Sequence, residues 1–156
     1  MKKILKKVKP VKVIEKWKMG IKKVFKKYDE GSVSFVVEKE IVTLMFNEIV
    51  SMVSCGNYTT YNMNNGKSVL RLMGLGLCCL DMPRDHYGRY SKTEVINLHY
   101  YCDHSRGKIC TVSLSGGLSS KISRNEKVRF KEDIRLFKIR ETLRAIRNLL
   151  KKKKSL

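Results

Sequence analysis

Four residues that could bind zinc lie close together in the stretch HYYCDHSRGKIC, which spans 99–110. They are His99, Cys102, His104 and Cys110, with the spacing H-x2-C-x-H-x5-C. Structural zinc sites usually combine two closely spaced pairs, such as C-x2-C with H-x3-H. The alternation expected of a strand also places His99 and Cys102 on opposite faces. We therefore predict no metal and no cofactor, and keep zinc on these four residues as the weaker alternative.

The same side chains could form a nucleophile and its base. Cys102 would pair with His99 or His104, or Cys78 with the distant His86. A catalytic thiol needs a base that a third group orients, and donors for the developing oxyanion. Neither can be identified in the sequence, so we predict that the protein is not an enzyme.

Basic residues dominate the sequence. The 156 residues carry a formal net charge of +20, and this charge is unevenly distributed. Residues 1–28 hold twelve lysines against Glu15, residues 29–120 hold eight bases and nine acids, and residues 121–156 hold fourteen bases and four acids. A nearly neutral middle between two basic ends predicts a polyanionic partner.

The amino-terminal arm, residues 1–30, combines lysines with apolar residues spaced by three and four between Val11 and Tyr28. This spacing predicts an amphipathic helix. Trp17 among lysines is typical of a helix at a membrane interface, and the apolar stripe favours a membrane over RNA, which the charge alone would also suit. The predicted membrane- or polyanion-binding residues are Lys2, Lys3, Lys6, Lys7, Lys9, Lys12, Lys16, Trp17, Lys22, Lys23, Lys26 and Lys27.

The carboxyl-terminal segment, residues 121–156, predicts a second basic helix. Ser123 and Glu126 have the capping-box pattern, but the helix could instead start near Lys131 if Val128 and Phe130 form a short strand. A 3,4,3,4 apolar repeat predicts a face for packing on the core or for self-association: Leu136, Ile139, Leu143, Ile146 and Leu150. A second polyanion-binding site is predicted at Lys151, Lys152, Lys153 and Lys154.

The core between the arms, residues 31–120, opens with one clear strand. Val33, Phe35 and Val37 alternate as in a half-buried strand. From residue 40 to residue 53 the apolar residues fall on a helical stripe, and Gly56 then suits a left-handed C-cap. These patterns predict a strand followed by a helix.

The rest of the core alternates between apolar runs and turn formers. Residues 58–66 predict a turn region, 68–80 a buried helix and 81–91 a polar loop. Residues 92–114 predict a hairpin whose turn is DHSRG, and 115–120 a linker. The predicted fold class is α+β: a small antiparallel sheet packed with helices, flanked by basic amphipathic helices at both ends.

The cysteines and apolar runs bear on the cellular compartment. The five cysteines are an odd number, and Cys78 and Cys79 are adjacent, so a disulfide framework is not expected. The amino end lacks the apolar stretch of a signal peptide, and no run of about 18 apolar residues predicts a transmembrane helix. A reducing compartment is predicted.

The order of these segments resembles that of a rhabdovirus matrix protein. The resemblance rests on Lys2-Lys3-Ile4-Leu5 in the basic end, SFVVEKEIV at 34–42, GKSVLRLM at 66–73 and LHYYCDHSRGKICTVSL at 98–114. The chain lacks the P-P-x-Y motif of animal-virus members, since its prolines are Pro10 and Pro83, so a plant-infecting relative is the better match.

This resemblance implies a non-enzymatic structural protein of the virion. Such a protein would self-associate as a homo-oligomer and bridge the viral nucleoprotein–RNA complex to an anionic membrane surface. It would be found in the virion and in the host cytoplasm or at the inner membrane surface, with the host nucleus as a further location. The alternative hypothesis is an RNA-binding viral accessory protein, such as a silencing suppressor.

Overall fold

The computed structural model describes residues 31–154, which form an α+β fold as predicted. Within this range the strands are β1 Ser32–Val37, β2 Glu40–Met45, β3 Ile49–Cys55, β4 Tyr58–Met63, β5 Ser68–Arg71, β6 Tyr87–Arg89, β7 Glu94–Asn97, β8 Tyr101–His104, β9 Cys110–Leu114 and β10 Leu118–Ile122. The α-helices are α1 Leu75–Cys78 and α2 Lys127–Lys154. Short 3-10 helical turns lie at Phe46–Glu48, Cys79–Asp81, Leu98–Tyr100 and Arg124–Glu126.

The strands form three antiparallel sheets. β1 and β2 make a hairpin, β5-β4-β3-β7-β6 make a five-stranded sheet, and β10-β9-β8 make a three-stranded sheet. The hairpin turns at Glu38 and Lys39, both with positive φ. The five-stranded sheet lies between the other two because its strands bury apolar side chains on both faces.

The first core cluster lies between the β1–β2 hairpin and one face of the five-stranded sheet. Phe35 from β1 stacks on Tyr61 from β4, with ring centroids 5.4 Å apart. Met52 from β3 and Cys78 from α1 are fully buried in the same cluster. Burial of this apolar area is the main force that holds the hairpin to the sheet.

The second core cluster lies on the opposite face, between the five-stranded sheet, the three-stranded sheet and α2. Val50 and Ile96 from the large sheet meet Val112 from β9 and Phe130 from α2. Neighbouring residues of β7, Val95 and Ile96, therefore point into different clusters, as the period of two of a strand requires.

The prediction of a helix over 40–53 is wrong. These residues form β2, the 3-10 turn Phe46–Glu48 and β3. The 3-10 turn shifts the phase between two strands, so that their apolar residues imitate a helical spacing. Gly56 does have positive φ, +62°, but in the β3–β4 turn rather than at a helix end.

Four other segment predictions are also wrong. Residues 68–80 form β5 and the one-turn helix α1 rather than a longer buried helix. The predicted linker 115–120 contains a Gly116-Gly117 turn with positive φ and most of β10, and the predicted polar loop 81–91 contains β6. The turn region 58–66 holds β4 before its turn. Short strands with mixed polarity carry too little periodicity to be recognised.

Several predictions are confirmed. β1 buries Val33 and Phe35. The hairpin around DHSRG is confirmed for β8 and β9, but the predicted first strand 92–103 is divided into β7 of the five-stranded sheet, a 3-10 turn and β8. The carboxyl-terminal helix begins at Lys127, after a 3-10 turn, so Val128 and Phe130 are helical rather than a strand. Ser123 precedes this turn but makes no side-chain capping bond. The predicted amino-terminal helix lies outside the described residues.

Candidate functional site

The four candidate zinc ligands do not converge. His99 stacks edge-on against Phe137, with centroids 4.7 Å apart, and His104 packs against Phe130 at 5.5 Å. Cys102 is exposed, with its Sγ 3.7 Å from the Ser115 Oγ, whereas Cys110 is buried in the second core. Within residues 31–154 no three metal-binding side chains form a group that could hold an ion.

Two of the histidines, His99 and His104, instead pack against α2, and His86 stacks on His99. The His86 Nδ1 lies 2.6 Å from the His99 Nε2, and the two rings stack with centroids 4.7 Å apart. The His104 Nδ1 is 2.7 Å from the Tyr101 Oη. Because His99 and His104 contact Phe137 and Phe130, this segment serves packing between the helix and the sheets.

A cleft of about 240 Å³ opens beside the histidine pair, with Phe46, Pro83 and Arg144 among its lining residues. Its polar side chains already serve the fold. The Tyr87 Oη and the Asn97 Nδ2 both donate to the Ile49 carbonyl, at 3.2 and 2.8 Å. Burial raises the pKa of Tyr87, so its hydroxyl stays a proton donor. The cleft is therefore built around structural hydrogen bonds.

The candidate nucleophile pairs are also separated. The His104 ring is bonded to Tyr101, and the Cys102 Sγ faces the Tyr100 carbonyl and Ser115 instead. The Cys78 thiol is buried and lies 3.7 Å from the Met73 carbonyl oxygen. The absence of enzymatic activity stays a prediction.

The predicted polyanion-binding arms are only partly described. The lysines from Lys2 to Lys27 and Trp17 lie outside the described residues. At the other end, Lys151, Lys152 and Lys153 are exposed on the last turn of α2, whose final residue is Lys154.

A basic surface forms where three segments meet at the start of α2. The turn between β6 and β7 is joined to the end of β10 by the Ser123 N–H, which donates to the Tyr90 carbonyl at 2.9 Å. The β8–β9 loop is tied to α2 by the Lys127 Nζ, 2.7 Å from the Gly107 carbonyl oxygen. These segments bring together six exposed cations, which we call the basic junction: Arg89, Lys92, Arg106, Lys108, Lys121 and Arg124.

Local hydrogen bonds order the turn between β6 and β7. The Arg89 guanidinium donates to the carbonyls of Ser91 and Lys92, at 3.3 and 2.7 Å, and so uses two of its five N–H groups. The Ser91 Oγ accepts from the Glu94 N–H at 2.9 Å. The turn that carries Lys92 is therefore held from both sides.

The β8–β9 loop and β10 are held in a similar way. The Ser105 Oγ donates to the Ile109 carbonyl and accepts from the Thr111 N–H, both at 2.9 Å. The Glu94 carboxylate accepts from the Ser120 hydroxyl and from the Lys121 N–H. The cations thus stand on segments whose backbone is fixed before any ligand arrives.

The acidic residues near the basic junction are engaged by other groups. The Glu126 carboxylate pairs with Arg129 at 3.0 Å. The Asp133 carboxylate accepts from the Tyr90 hydroxyl at 2.9 Å and lies 3.9 Å from the Arg129 guanidinium. The positive end of the α2 dipole lies at the same place. Glu94 and Asp103 also lie nearby and accept only from neutral groups, but the six cations outnumber them, so the surface has a net positive charge.

Tyr90 connects the β6–β7 turn of the basic junction to α2. Its ring is buried against Phe130, with centroids 5.1 Å apart, and the Arg129 guanidinium lies 5.3 Å above it. Burial, followed by the hydrogen bond to Asp133, raises the pKa of the Tyr90 hydroxyl. Tyr90 therefore remains a neutral donor that ties the β6–β7 turn to α2.

Sequence reasoning missed the basic junction. Four of its cations lie in the segment 29–120, whose net charge is close to zero, and the other two are separated from them in sequence. A charge count along the chain averages these residues with acids that lie elsewhere in the fold. The turn residues flanking Lys92 and Arg106 were the available signal.

Comparisons with known proteins give a likeness in fold. No protein-family model matches the chain, and no curated protein matches it. The structure is similar to the LytTr DNA-binding domain of a methyl-accepting/DNA response regulator from Bacillus cereus, with a TM-score of 0.58 and 12% sequence identity. The likeness covers 66% of this chain and 95% of that one. At this identity it shows the fold alone. Among residues 31–154, no helix is long and apolar enough to cross a membrane.

Proposed function

We propose that the protein binds duplex DNA through the basic junction. The observation that carries this proposal is the convergence of six exposed cations on three ordered segments at the start of α2. The likeness in fold to a domain named as DNA-binding supports it. The net charge of +20 supports it as well, because a cationic protein is attracted to a polyanion over long distances.

The geometry of the basic junction suits a phosphate backbone. Lysine and arginine side chains neutralise phosphates and release the counterions condensed on DNA. Since the three segments are already ordered, binding immobilises side chains rather than whole loops, which lowers its entropic cost. Arg124 can also donate two parallel hydrogen bonds to one acceptor pair, such as the O6 and N7 of guanine. We assign phosphate binding to all six cations of the basic junction and an additional base contact to Arg124.

The two hypotheses from the sequence remain open to test. Neither the fold nor the comparisons bear on the matrix-protein hypothesis or its virion location, which stay predictions. The proposal of RNA binding by an accessory protein uses the same kind of cations. Duplex DNA is favoured here because B-form DNA offers a major groove that loop side chains can enter, whereas that of duplex RNA is deep and narrow.

The test uses the full chain with the double substitution Lys121→Gln and Arg124→Gln. Each cation that contacts a phosphate makes the plot of log K against log salt concentration steeper by about 0.9. Removing two such cations should therefore make the slope about 1.8 less steep. Affinity for a fluorescent duplex should fall by about tenfold or more at physiological salt. Fluorescence anisotropy over a salt series measures both quantities.

A matched control removes two exposed lysines elsewhere. Lys39 lies in the β1–β2 turn and Lys67 in the turn before β5, which is at the opposite edge of the large sheet from β6. The variant Lys39→Gln with Lys67→Gln has the same net charge as the test variant and should keep the wild-type slope. Equal losses in both variants would show that net charge alone binds DNA. Tighter binding of a matched duplex RNA would favour the accessory-protein hypothesis instead.

A further inference from the structure

Helix α2 has two apolar faces. The inner face, formed by Phe130, Ile134 and Phe137, is buried in the second core. The outer stripe, named here for its exposure of 42 to 57 % per residue, consists of Leu136, Ile139, Leu143, Ile146 and Leu150. Its residues are those that the sequence predicts for packing or self-association. Within residues 31–154 they are not packed on the core.

The outer stripe points away from the body of the protein. An α-helix turns by about 100° per residue, so the mean directions of the inner face and the outer stripe are roughly half a turn apart. On the other side of the helix, Arg140 pairs with Asp85 at 3.0 Å and Arg144 lines the cleft in the body. A partner could therefore cover the outer stripe without displacing the inner face from its seat.

The spacing of the outer stripe indicates what kind of partner covers it. Its residues occupy only the a and d positions of the heptad, with leucine at a and isoleucine at d. A seam of two residues per heptad is that of a coiled coil, whereas a helix lying in a membrane interface has a wider face with aromatic residues. Residues 138–154 contain no aromatic residue. The stripe therefore fits another helix better than a lipid surface.

We infer that the outer stripe binds the same stripe of a second copy, so that the chain self-associates through α2. Every copy presents an identical seam, which a symmetric assembly requires. This inference does not rest on DNA binding. It assigns a specific interface to the homo-oligomer that the sequence predicts.

The charges beside the outer stripe favour parallel helices. The e positions Arg140 and Arg147 are basic, while the g positions are Arg135, Thr142 and Leu149. In a parallel assembly each e residue faces a g residue of a neighbouring copy, so that only Arg135 and Arg140 repel, and leucine at a with isoleucine at d favours more than two helices. In an antiparallel pair e positions face e positions, and every such contact would join two cations. Parallel packing also places both basic junctions at the same end of the assembly.

The test compares two double variants of the full chain by sedimentation equilibrium. Leu143→Gln with Ile146→Gln changes two stripe residues. Ala145→Gln with Asn148→Gln changes two exposed residues on other faces of the same helical turns. We expect the wild type and the Ala145/Asn148 variant to exceed the monomer mass of 18.1 kDa as concentration rises. The stripe variant should associate about tenfold more weakly or worse. Circular dichroism checks that all three keep the same helix content.

Three results would overturn the inference. The wild type could remain monomeric at every concentration, or the stripe variant could associate as strongly as its control. The third is a monomeric wild type that floats with phosphatidylserine vesicles while the stripe variant sinks. In that case the outer stripe is a lipid-binding face.

Discussion

Asn97 is a buried polar side chain at the end of β7, next to the cleft. It joins the start of β3 to the 3-10 turn Leu98–Tyr100. Its Nδ2 donates to the Ile49 carbonyl at 2.8 Å, and its Oδ1 accepts from the His99 N–H at 3.0 Å. It is 1% exposed, so water cannot replace these bonds. An asparagine inside the apolar run Val95-Ile96-Asn97-Leu98 is the sequence signal for such a structural amide.

We expect Asn97→Ala to lower the free energy of unfolding by about 2 kcal/mol, because the Ile49 carbonyl loses its shorter hydrogen bond and the His99 N–H loses its acceptor. Asn125→Ala is the control, since Asn125 is exposed in the 3-10 turn before α2, and should change stability by less than about 0.5 kcal/mol. Urea unfolding followed by circular dichroism measures both. Similar values for the two variants would contradict the structural role of the Asn97 amide.

Helix α2 depends on a short inner face for its position. Phe130 is fully buried and contacts the rings of Tyr90, Tyr101 and His104, with centroids 5.1 to 6.0 Å away. The surface ion pair between Arg140 and Asp85 adds little, because both side chains are solvated. The docking of a 28-residue helix thus rests mainly on its first three turns.

We expect Phe130→Ala to cost about 3 to 5 kcal/mol of unfolding free energy, the range for a buried phenylalanine. Val128→Ala is the matched control in the same turn, because Val128 is 81% exposed. Urea unfolding again provides the measurement. A small cost for Phe130→Ala would mean that α2 is not docked on the three-stranded sheet.

The elements differ in how far the sequence reveals them. β1 and α2 are recognised because each has an unbroken period over its length, of two and of 3.6 residues. The segment 40–53 fails because a 3-10 turn between two strands resets the phase, which a single window reads as a helix. β6 and β10 fail because they have only three and five residues, with glycine or serine at several positions. Their register is set by tertiary pairing with β7 and β9 rather than by local preference.

The candidate functional residues also divide into those that local sequence spacing predicts and those that only tertiary contacts bring together. The outer stripe and the lysines at the end of α2 are contiguous in sequence, so their spacing alone predicts them. The basic junction depends on contacts between residues distant in sequence, such as the Ser123 N–H with the Tyr90 carbonyl and the Lys127 Nζ with the Gly107 carbonyl. Local periodicity carries no information about such contacts. The weaker zinc alternative fails for the opposite reason. His99, Cys102 and His104 are close in sequence, but the 3-10 turn Leu98–Tyr100 directs their side chains into separate contacts.

The charge of the whole molecule places the proposed DNA binding and the proposed self-association under opposite electrostatic control. DNA attracts the basic junction, whereas copies of α2 repel one another. Residues 138–154 hold eight lysines and arginines against Glu141. Salt screens both effects, since the Debye length falls from about 10 Å at 0.1 M to about 3 Å at 1 M. Added salt should therefore weaken DNA binding and strengthen self-association.

We expect DNA affinity to fall about 1,000-fold between 50 and 200 mM NaCl, the loss for about six phosphate contacts. Over the same range self-association should strengthen several-fold, because screening weakens the repulsion between the cations beside the outer stripe while the apolar contacts persist. Anisotropy with a duplex and sedimentation of the free chain measure the two equilibria in the same buffers. If self-association also weakened with salt, ion pairs rather than the outer stripe would hold the copies together.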